Sequence, residues 1–320
     1  MSAEVSCVID CANELGECPL WSPKDNVLWW IDVAKPTLWR YDPARNTTSS
    51  WPLPKPPTVL ALRENGGLLI VFRRGYALVD ALEPGTMIEQ QYALDLAEER
   101  FNDGKVDRLG RMWVGTMDRK LSRPIGQLYR LSIDQPVQAV DQGFVLSNGI
   151  GWNPESTLMY FAETHSKNIY VFDYDLKNGT AINRRVFANI GGEGGPDGLT
   201  VDAYGNVWVA VFGGGAIYKY APDGQLTQQL AFPTAHPTSC TFGGADLQTL
   251  YITTAGKRPA EELAAFPLTG KILSVRVPVA DEPLKVHLFV ATLGYSRRTF
   301  VAMFLHERQS AWLQGLEGAF

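Results

Sequence analysis

The chain has 320 residues, with 29 Lys and Arg against 34 Asp and Glu, which gives a formal net charge of −5. This acidic balance argues against nucleic-acid or membrane-surface binding that depends on bulk positive charge. A hydrophobic content of 45% and a charged content of 20% are typical of a soluble globular protein. The 30 Gly, 20 Pro, 9 Trp and 12 Tyr favour short strands joined by tight turns, so we predict an all-β fold.

The N-terminal region lacks the pattern of a secretory leader. Glu4, Asp10 and Glu14 lie where a leader needs a basic start and an apolar run, and the sequence contains no apolar stretch of membrane-spanning length. We therefore expect a cytoplasmic protein that does not bind membranes. In that compartment, cysteines without zinc-site spacing are expected to be free thiols, and the four here are Cys7, Cys11, Cys18 and Cys240.

A two-strand unit recurs along the chain, beginning with residues 16–30, where a short strand, a polar turn and a second strand follow one another. The centres of the second strands lie 40 to 48 residues apart, at Trp29, Leu69, Trp113, Tyr160, Trp208 and Tyr251. Six units of this length predict a six-bladed β-propeller with four strands in each blade. A strand near residues 5–9 is expected to complete the last blade and close the ring.

Four polar residues occupy matching positions, 11 or 12 residues before the second-strand centres of their units. They are Glu17, Asn102, Asn148 and Asp197. Because the innermost strands of a propeller surround its central channel, we expect these side chains to converge at one mouth of the channel. Asn or Asp before Gly is also a common turn former, and that structural interpretation competes for each residue alone. The shared register favours a site of oxygen donors that suits a hard divalent cation.

Further candidates lie in the loops that follow the second strands, which we expect to overhang the same mouth. These loops carry Asp32, residues 117–119 and residues 163–165. Arg100 lies two residues before Asn102 and is a candidate for binding a hydroxylated or anionic substrate. The competing interpretation places Arg100 in a solvated charge cluster with its acidic neighbours.

Several motifs resemble the regucalcin/gluconolactonase (senescence marker protein) family of sugar lactonases. The similar segments are residues 16–21, 100–107 with 115–117, 147–150 and 196–198. The resemblance runs in order and in blade register over about residues 4 to 283. It implies a six-bladed propeller with one catalytic divalent metal ion in the central channel.

The resemblance also implies roles for individual residues. Glu17, Asn148 and Asp197 would bind the metal ion, Arg100 and Asn102 would contact substrate, and Asp197 would also act as the general base. Asp118 is a further candidate for substrate contact. The implied reaction is metal-dependent hydrolysis of an aldonolactone to the aldonic acid, with Ca²⁺ as the favoured ion and Zn²⁺, Mn²⁺, Mg²⁺ or Fe²⁺ as alternatives. A small-molecule sugar lactone is the expected partner, and a monomer is the default state.

Two other functions stay open on the sequence. A related propeller esterase or phosphotriesterase could use the same scaffold, because a fold does not fix its chemistry. A calcium-binding propeller without catalytic turnover is the second alternative. A panel of substrates distinguishes the first, and substitutions in the channel distinguish the second.

The propeller rhythm ends near Pro283. We therefore predict a propeller domain over residues 1–283 and a non-propeller extension over 284–320, strand-like at first and helical from Phe300 onward. Residues 286–320 resemble part of an insertion-element transposase core, which suggests a foreign fragment joined by gene fusion. A family-specific extension packed on the outside of the propeller is the alternative.

Overall fold

The computed structural model describes residues 5–277, except 65, 84, 90–91, 94–95, 97 and 133–134, together with two strands at 287–292 and 299–304. The chain divides into two compact units, Met1–Val277 and Pro278–Phe320.

The first unit is almost entirely strands. The first half contains β1 (Val5–Ile9), β2 (Gly16–Ser22), β3 (Val27–Asp32), β4 (Thr37–Asp42), β5 (Thr47–Pro52), β6 (Pro57–Leu62), β7 (Leu68–Phe72), β8 (Gly75–Val79), β9 (Tyr92–Ala93), β10 (Glu99–Val106), β11 (Met112–Asp118), β12 (Gly126–Ser132) and β13 (Gln135–Phe144). The second half contains β14 (Ser147–Trp152), β15 (Leu158–Glu163), β16 (Asn168–Asp175), β17 (Thr180–Asn189), β18 (Gly195–Val201), β19 (Val207–Phe212), β20 (Ala216–Tyr220), β21 (Leu226–Ala231), β22 (Pro237–Gly243), β23 (Thr249–Thr254), the helix α1 (Ala260–Ala265) and β24 (Ile272–Arg276).

These strands form six antiparallel sheets of four strands, which are the blades of a β-propeller. Blades 1 to 5 each use four consecutive strands, starting with β2, β6, β10, β14 and β18. Blade 6 uses β22, β23 and β24, and β1 pairs with β24 as its outer strand. Each first strand contacts the first strands of both neighbouring blades, so β2, β6, β10, β14, β18 and β22 form a closed ring. The predicted architecture and the closure by residues 5–9 are confirmed.

The second strand of each blade carries the largest buried side chains, because both of its faces are covered by neighbouring blades. Trp30, Trp113 and Trp208 are fully buried there. The same contact occurs in two blades. Asp107 accepts a hydrogen bond from the indole of Trp113 at 3.1 Å, and Asp202 accepts one from the indole of Trp208 at 2.9 Å. The acid at the end of a first strand therefore fixes the core aromatic residue of the second.

We expect Asp107→Ala to lower the free energy of unfolding by about 2–4 kcal/mol. The Asp107 side chain is 1% exposed, and it also accepts hydrogen bonds from Arg111 Nε at 2.7 Å and the Tyr174 hydroxyl at 2.6 Å. The alanine leaves these buried donors without their acceptor. Denaturant unfolding measures the loss, and Asp223→Ala in an exposed turn is the matched control. Equal stability of the two variants would contradict the assignment.

The C-terminal unit differs from the sequence-based expectation. Strand β25 (His287–Thr292) pairs antiparallel with β26 (Thr299–Phe304), so residues 299–304 form a strand and not the start of a helix. The prediction of a helix beginning at Phe300 is wrong over this range, because β-branched Thr299 and Val301 can pair with the preceding strand. The rest of the predicted helix, at 305–320, lies outside the described residues. The domain boundary and the foreign-fragment hypothesis remain predictions.

The four cysteines are free thiols, as predicted. No helix in the described part of the chain is long and apolar enough to cross a bilayer.

Candidate active site in the central channel

The first strands that carry the candidate residues are irregular at the same point. The pairing register shifts between Glu17 and Leu20 in β2, between residues 101 and 104 in β10, between 147 and 150 in β14, and between 196 and 199 in β18. Extra residues of this kind bend a strand and change the direction of its side chains. The candidate residues lie at these bulges, and Cys18 beside Glu17 adopts a left-handed φ of 48°.

The glycines after Asn148 and Asp197 allow neighbouring first strands to approach closely. A Cβ atom on Gly149 would lie 2.6 Å from the carbonyl oxygen of Asp197, and one on Gly198 would lie 2.0 Å from Ser239 Oγ. The Asn-Gly and Asp-Gly pairs are therefore packing features of the ring, and the turn interpretation does not account for them. Glycine at these positions brings residues of blades 4, 5 and 6 together.

A chain of hydrogen bonds joins the amide side chains across blades 3, 4 and 5. Asn102 Nδ2 donates to Asn148 Oδ1 and to the Ser147 carbonyl oxygen, both at 2.8 Å. Asn148 Nδ2 donates to Thr164 Oγ1 at 2.6 Å, and Thr164 Oγ1 donates to the Pro196 carbonyl oxygen at 2.7 Å. These contacts orient the Asn148 amide, with its nitrogen on Thr164 and its oxygen beside Asn102. The predicted convergence of Asn102 and Asn148 is therefore seen directly.

Three carboxylates share the interior of the ring. Burial, followed by the charges of Asp197 and Asp103, raises the pKa of Glu17 well above its usual range. Burial and then the charge of Asp103 do the same to the pKa of Asp197. Burial raises the pKa of Asp103 to about 6. Like charges this close, in surroundings that solvate them poorly, favour the binding of a cation.

Lys105 is the basic residue of this group. Its Nζ lies 3.5 Å from the Leu199 carbonyl oxygen, and its charge lowers the pKa of Asp103, although burial dominates the net shift of that carboxyl. Burial lowers the pKa of Lys105 itself, and Cys240, Asp103 and Cys18 oppose that effect. One ammonium group therefore balances one of the three carboxylates when all are ionised.

We expect Lys105→Met to raise the pKa of Asp103 above its value of about 6 in the metal-free protein. Loss of the ammonium group removes the interaction that favours the ionised carboxyl. Carbon-13 NMR titration of labelled Asp carboxyl groups measures the change, and Lys24→Met on the exposed surface is the control. An unchanged titration of Asp103 would contradict the pairing.

Arg100 lies on β10 beside the amide chain. Its Nη1 donates to Asn102 Oδ1 at 3.1 Å and to the Phe101 carbonyl oxygen at 3.0 Å. Burial, and next the charge of Arg73, lower the pKa of Arg100 to about 10. The alternative of a solvated charge cluster is not favoured, because Glu98 pairs with Arg123 and Glu99 accepts from Thr116.

Asp118 supports its own loop. Its side chain has no exposed surface, and its carboxylate accepts hydrogen bonds from the amides of Lys120, Ser122 and Arg123. These donors hold the pKa of Asp118 well below its usual range despite its burial. Asp32 and Glu163, the last residues of β3 and β15, likewise accept hydrogen bonds from backbone amides, which here directly precede β2 and β14. We therefore assign Asp118 to the loop and leave substrate contact to other residues.

The donor set fits a divalent ion only if an amide takes part. Among the described residues, no group of three or more His, Cys, Asp and Glu side chains could hold an ion by itself. Glu17 and Asp197 supply two carboxylates, and the oriented Asn148 oxygen is the additional donor. Oxygen donors of this kind suit Ca²⁺, Mg²⁺ or Mn²⁺.

Sequence reasoning missed Asp103 and Lys105, although both lie in the motif at 102–107. Strict alternation along a strand places consecutive residues on opposite faces. The bulge in β10 breaks that alternation, so Asn102 and Asp103 both take part in the polar interior of the ring. The available sequence signal for Asp103 was the glycine that follows it, because Asp197 in another first strand is also followed by glycine.

Comparison with known proteins identifies the family. A sequence model described as "SMP-30/Gluconolactonase/LRE-like region" matches residues 15–256. The chain belongs to this family. A 6-deoxy-6-sulfogluconolactonase of Pseudomonas putida is 38% identical over 291 residues, which cover 89% of this chain and 99% of that protein. A pentonolactonase of Haloferax volcanii is 36% identical over 79% of this chain and 85% of its own length.

Solved structures of the SMP-30/gluconolactonase family share the propeller. A calcium-binding regucalcin from Agrobacterium tumefaciens superposes with a TM-score of 0.79 at 26% identity, over 87% of this chain and 96% of that chain. A gluconolactonase from Xanthomonas campestris has a TM-score of 0.69 at 23% identity, over 86% of this chain and 90% of its own. The second similarity shows the fold alone.

Proposed function

We propose that this chain hydrolyses a sugar lactone to the aldonic acid with the help of one divalent metal ion. The observation that carries the proposal is that Glu17 and Asp197, whose charges interact, and the oriented Asn148 amide all lie at bulges of the inner strands of the ring. The names of relatives from Pseudomonas putida and Haloferax volcanii, which describe lactonases, support this chemistry.

Glu17, Asn148 and Asp197 would hold the ion. When bound, a divalent ion polarises the lactone carbonyl and lowers the pKa of water. Ca²⁺ is the proposed ion, because the donors are all oxygens and a similar structure is that of a calcium-binding protein.

Hydrolysis needs a proton acceptor and a fixed substrate. Asp197 accepts a proton as water adds to the lactone carbonyl, and the ring C–O bond then breaks, with the proton passing to the released hydroxyl. Arg100 and Asn102 hold ring hydroxyls of the sugar, so that the carbonyl faces the carboxylates. The hydrogen bond from Arg100 to Asn102 fixes these two side chains relative to each other.

A panel of aldono-1,4- and 1,5-lactones tests the proposal. Acid release is followed with metal-stripped protein, alone and after addition of Ca²⁺, Mn²⁺, Mg²⁺ or Zn²⁺. Turnover that depends on an added ion is the expected result. Absence of turnover on every lactone with every ion would contradict the proposal.

Calcium binding without catalysis is the second candidate function, favoured by the similarity to the calcium-binding regucalcin. It predicts Ca²⁺ binding by calorimetry together with no hydrolysis of any lactone or of other esters, including phosphotriesters. The same panel therefore separates the two candidates.

A further inference from the structure

Three arginine residues lie together beside the candidate active site. Arg73 follows β7 of blade 2, Arg119 follows β11 of blade 3, and Arg100 lies on β10 between them. The Arg73 carbonyl oxygen accepts a hydrogen bond from the Phe101 amide at 3.0 Å, and the Arg119 amide donates to the Glu98 carbonyl oxygen at 3.3 Å. The loops that carry Arg73 and Arg119 are thus tied to the two sides of Arg100.

The positive charges of these residues act on one another. The charge of Arg73, after burial, lowers the pKa of Arg100, and the charge of Arg119, again after burial, lowers the pKa of Arg73. Among the described residues, Arg100 Nη1 donates only to neutral oxygens, on Phe101 and Asn102. Arg100 is half-buried, whereas Arg73 and Arg119 are exposed, so water screens part of the repulsion between the three cations and a bound anion would remove the remainder.

The nearby carboxylates have other partners. Glu98 pairs with Arg123 at 2.8 Å, Glu99 accepts from Thr116 Oγ1 at 2.5 Å, and Asp118 is occupied by its own loop. In the ranges that the structure describes, no carboxylate forms an ion pair with any of the three arginines. The cluster is therefore open to an anion from outside the protein.

We propose that Arg73, Arg100 and Arg119 bind an anionic group of the substrate, so that the preferred lactone carries a sulfonate, phosphate or carboxylate away from the reacting carbonyl. This inference rests on the proposed lactonase function. The link from Arg100 through Asn102 to Asn148 places the cluster next to the carboxylates that would carry out hydrolysis. Guanidinium groups match the spacing of oxygen pairs on all three anions. A neutral sugar lactone can offer hydroxyl groups to Arg100 but leaves the three positive charges without a counter-ion.

Substrate discrimination tests the inference. We expect kcat/KM to be about 100-fold higher for at least one 6-sulfo, 6-phospho or 6-carboxy aldonolactone than for the neutral lactone of the same ring. Comparison of the three anionic lactones identifies which anionic group is preferred.

Arg73→Gln and Arg119→Gln are each expected to reduce the ratio of kcat/KM for the anionic lactone to that for the neutral lactone about 10-fold. Arg108→Gln, an exposed arginine at the opposite end of the β10–β11 hairpin, is the matched control and should leave the ratio unchanged. Equal use of neutral and anionic lactones, or a ratio unaffected by both variants, would overturn the inference.

Binding of the product acids separates this inference from the proposed reaction. Calorimetry compares the unsubstituted aldonate, whose only charge is its carboxylate, with its 6-sulfo and 6-phospho forms at low and high salt, for wild type and for Arg73→Gln. Tighter binding of a form with the added anionic group, weakened by the substitution and by salt, supports the arginine site even if no lactone is hydrolysed. Equal binding of the unsubstituted and 6-substituted forms overturns it, whether or not hydrolysis occurs.

Discussion

Asp197→Asn is expected to lower kcat/KM for lactone hydrolysis by about 1,000-fold or more. The substitution keeps the size of the side chain but removes the proposed proton acceptor and one carboxylate donor for the ion. It should therefore also weaken divalent-ion binding. Steady-state kinetics with saturating ion and calorimetric titration of the ion measure the two effects separately.

Two controls separate the roles of the site residues. Arg100→Ala should impair substrate use while divalent-ion binding is retained, because Arg100 donates to the Asn102 amide, which is outside the proposed set of metal ligands. Asp223→Asn, in an exposed turn of the same blade as Asp197, should behave as wild type. A folded Asp197→Asn protein with full activity would exclude the mechanism.

A divalent ion is expected to stabilise the protein, with an effect that grows as pH rises above about 4. In the metal-free protein, the folded-state pKa of Asp103 is raised to about 6 from an ordinary value of 3.8. Between these two values the folded state holds more protons than the unfolded state, so stability is lost as pH rises from about 4 to about 6. The raised pKa values of Glu17 and Asp197 extend the loss to higher pH.

Binding of the ion offsets this loss of stability, because the ion binds the carboxyl groups in their ionised form. At an ion concentration about 100 times the dissociation constant, the gain is about 2.7 kcal/mol, or roughly 5 °C in Tm for a chain of this length. Thermal unfolding at several pH values, with and without Ca²⁺ and at matched ionic strength, measures the effect. Glu17→Gln should lose most of the increment. An increment independent of pH, or present to the same extent in Glu17→Gln, would contradict the site.

The repeat made the fold predictable. Trp113 and Trp208 are core residues at matching blade positions, and the spacing of such residues predicts six blades. Both faces of a second strand are buried, so large apolar side chains are needed there, and the same requirement applies in every blade. The short helix Ala260–Ala265 was not predicted, since none of its residues is buried and its sequence has no strong periodic signal.

The candidate site was only partly predictable. The shared register placed Asn102 with Asn148, which hydrogen-bond at 2.8 Å, and Glu17 with Asp197, whose charges interact. The position of Asp118 after a second strand makes it a candidate for substrate contact, but its carboxylate accepts hydrogen bonds from the amides of its own loop. Sequence position cannot distinguish an acid that faces a channel from one that caps a loop.

By itself, the sequence determined the number of blades, the closing role of the N-terminal strand and the oxygen-donor chemistry of the inner strands, because these depend on period and residue type. The tertiary structure decided which polar residues meet. Bulges in β2, β10, β14 and β18 redirect the side chains of the inner strands, and Gly149 and Gly198 let those strands approach closely. The grouping of Arg73, Arg100 and Arg119 likewise depends on the packing of two blades, because backbone hydrogen bonds hold the loops after β7 and β11 beside Arg100.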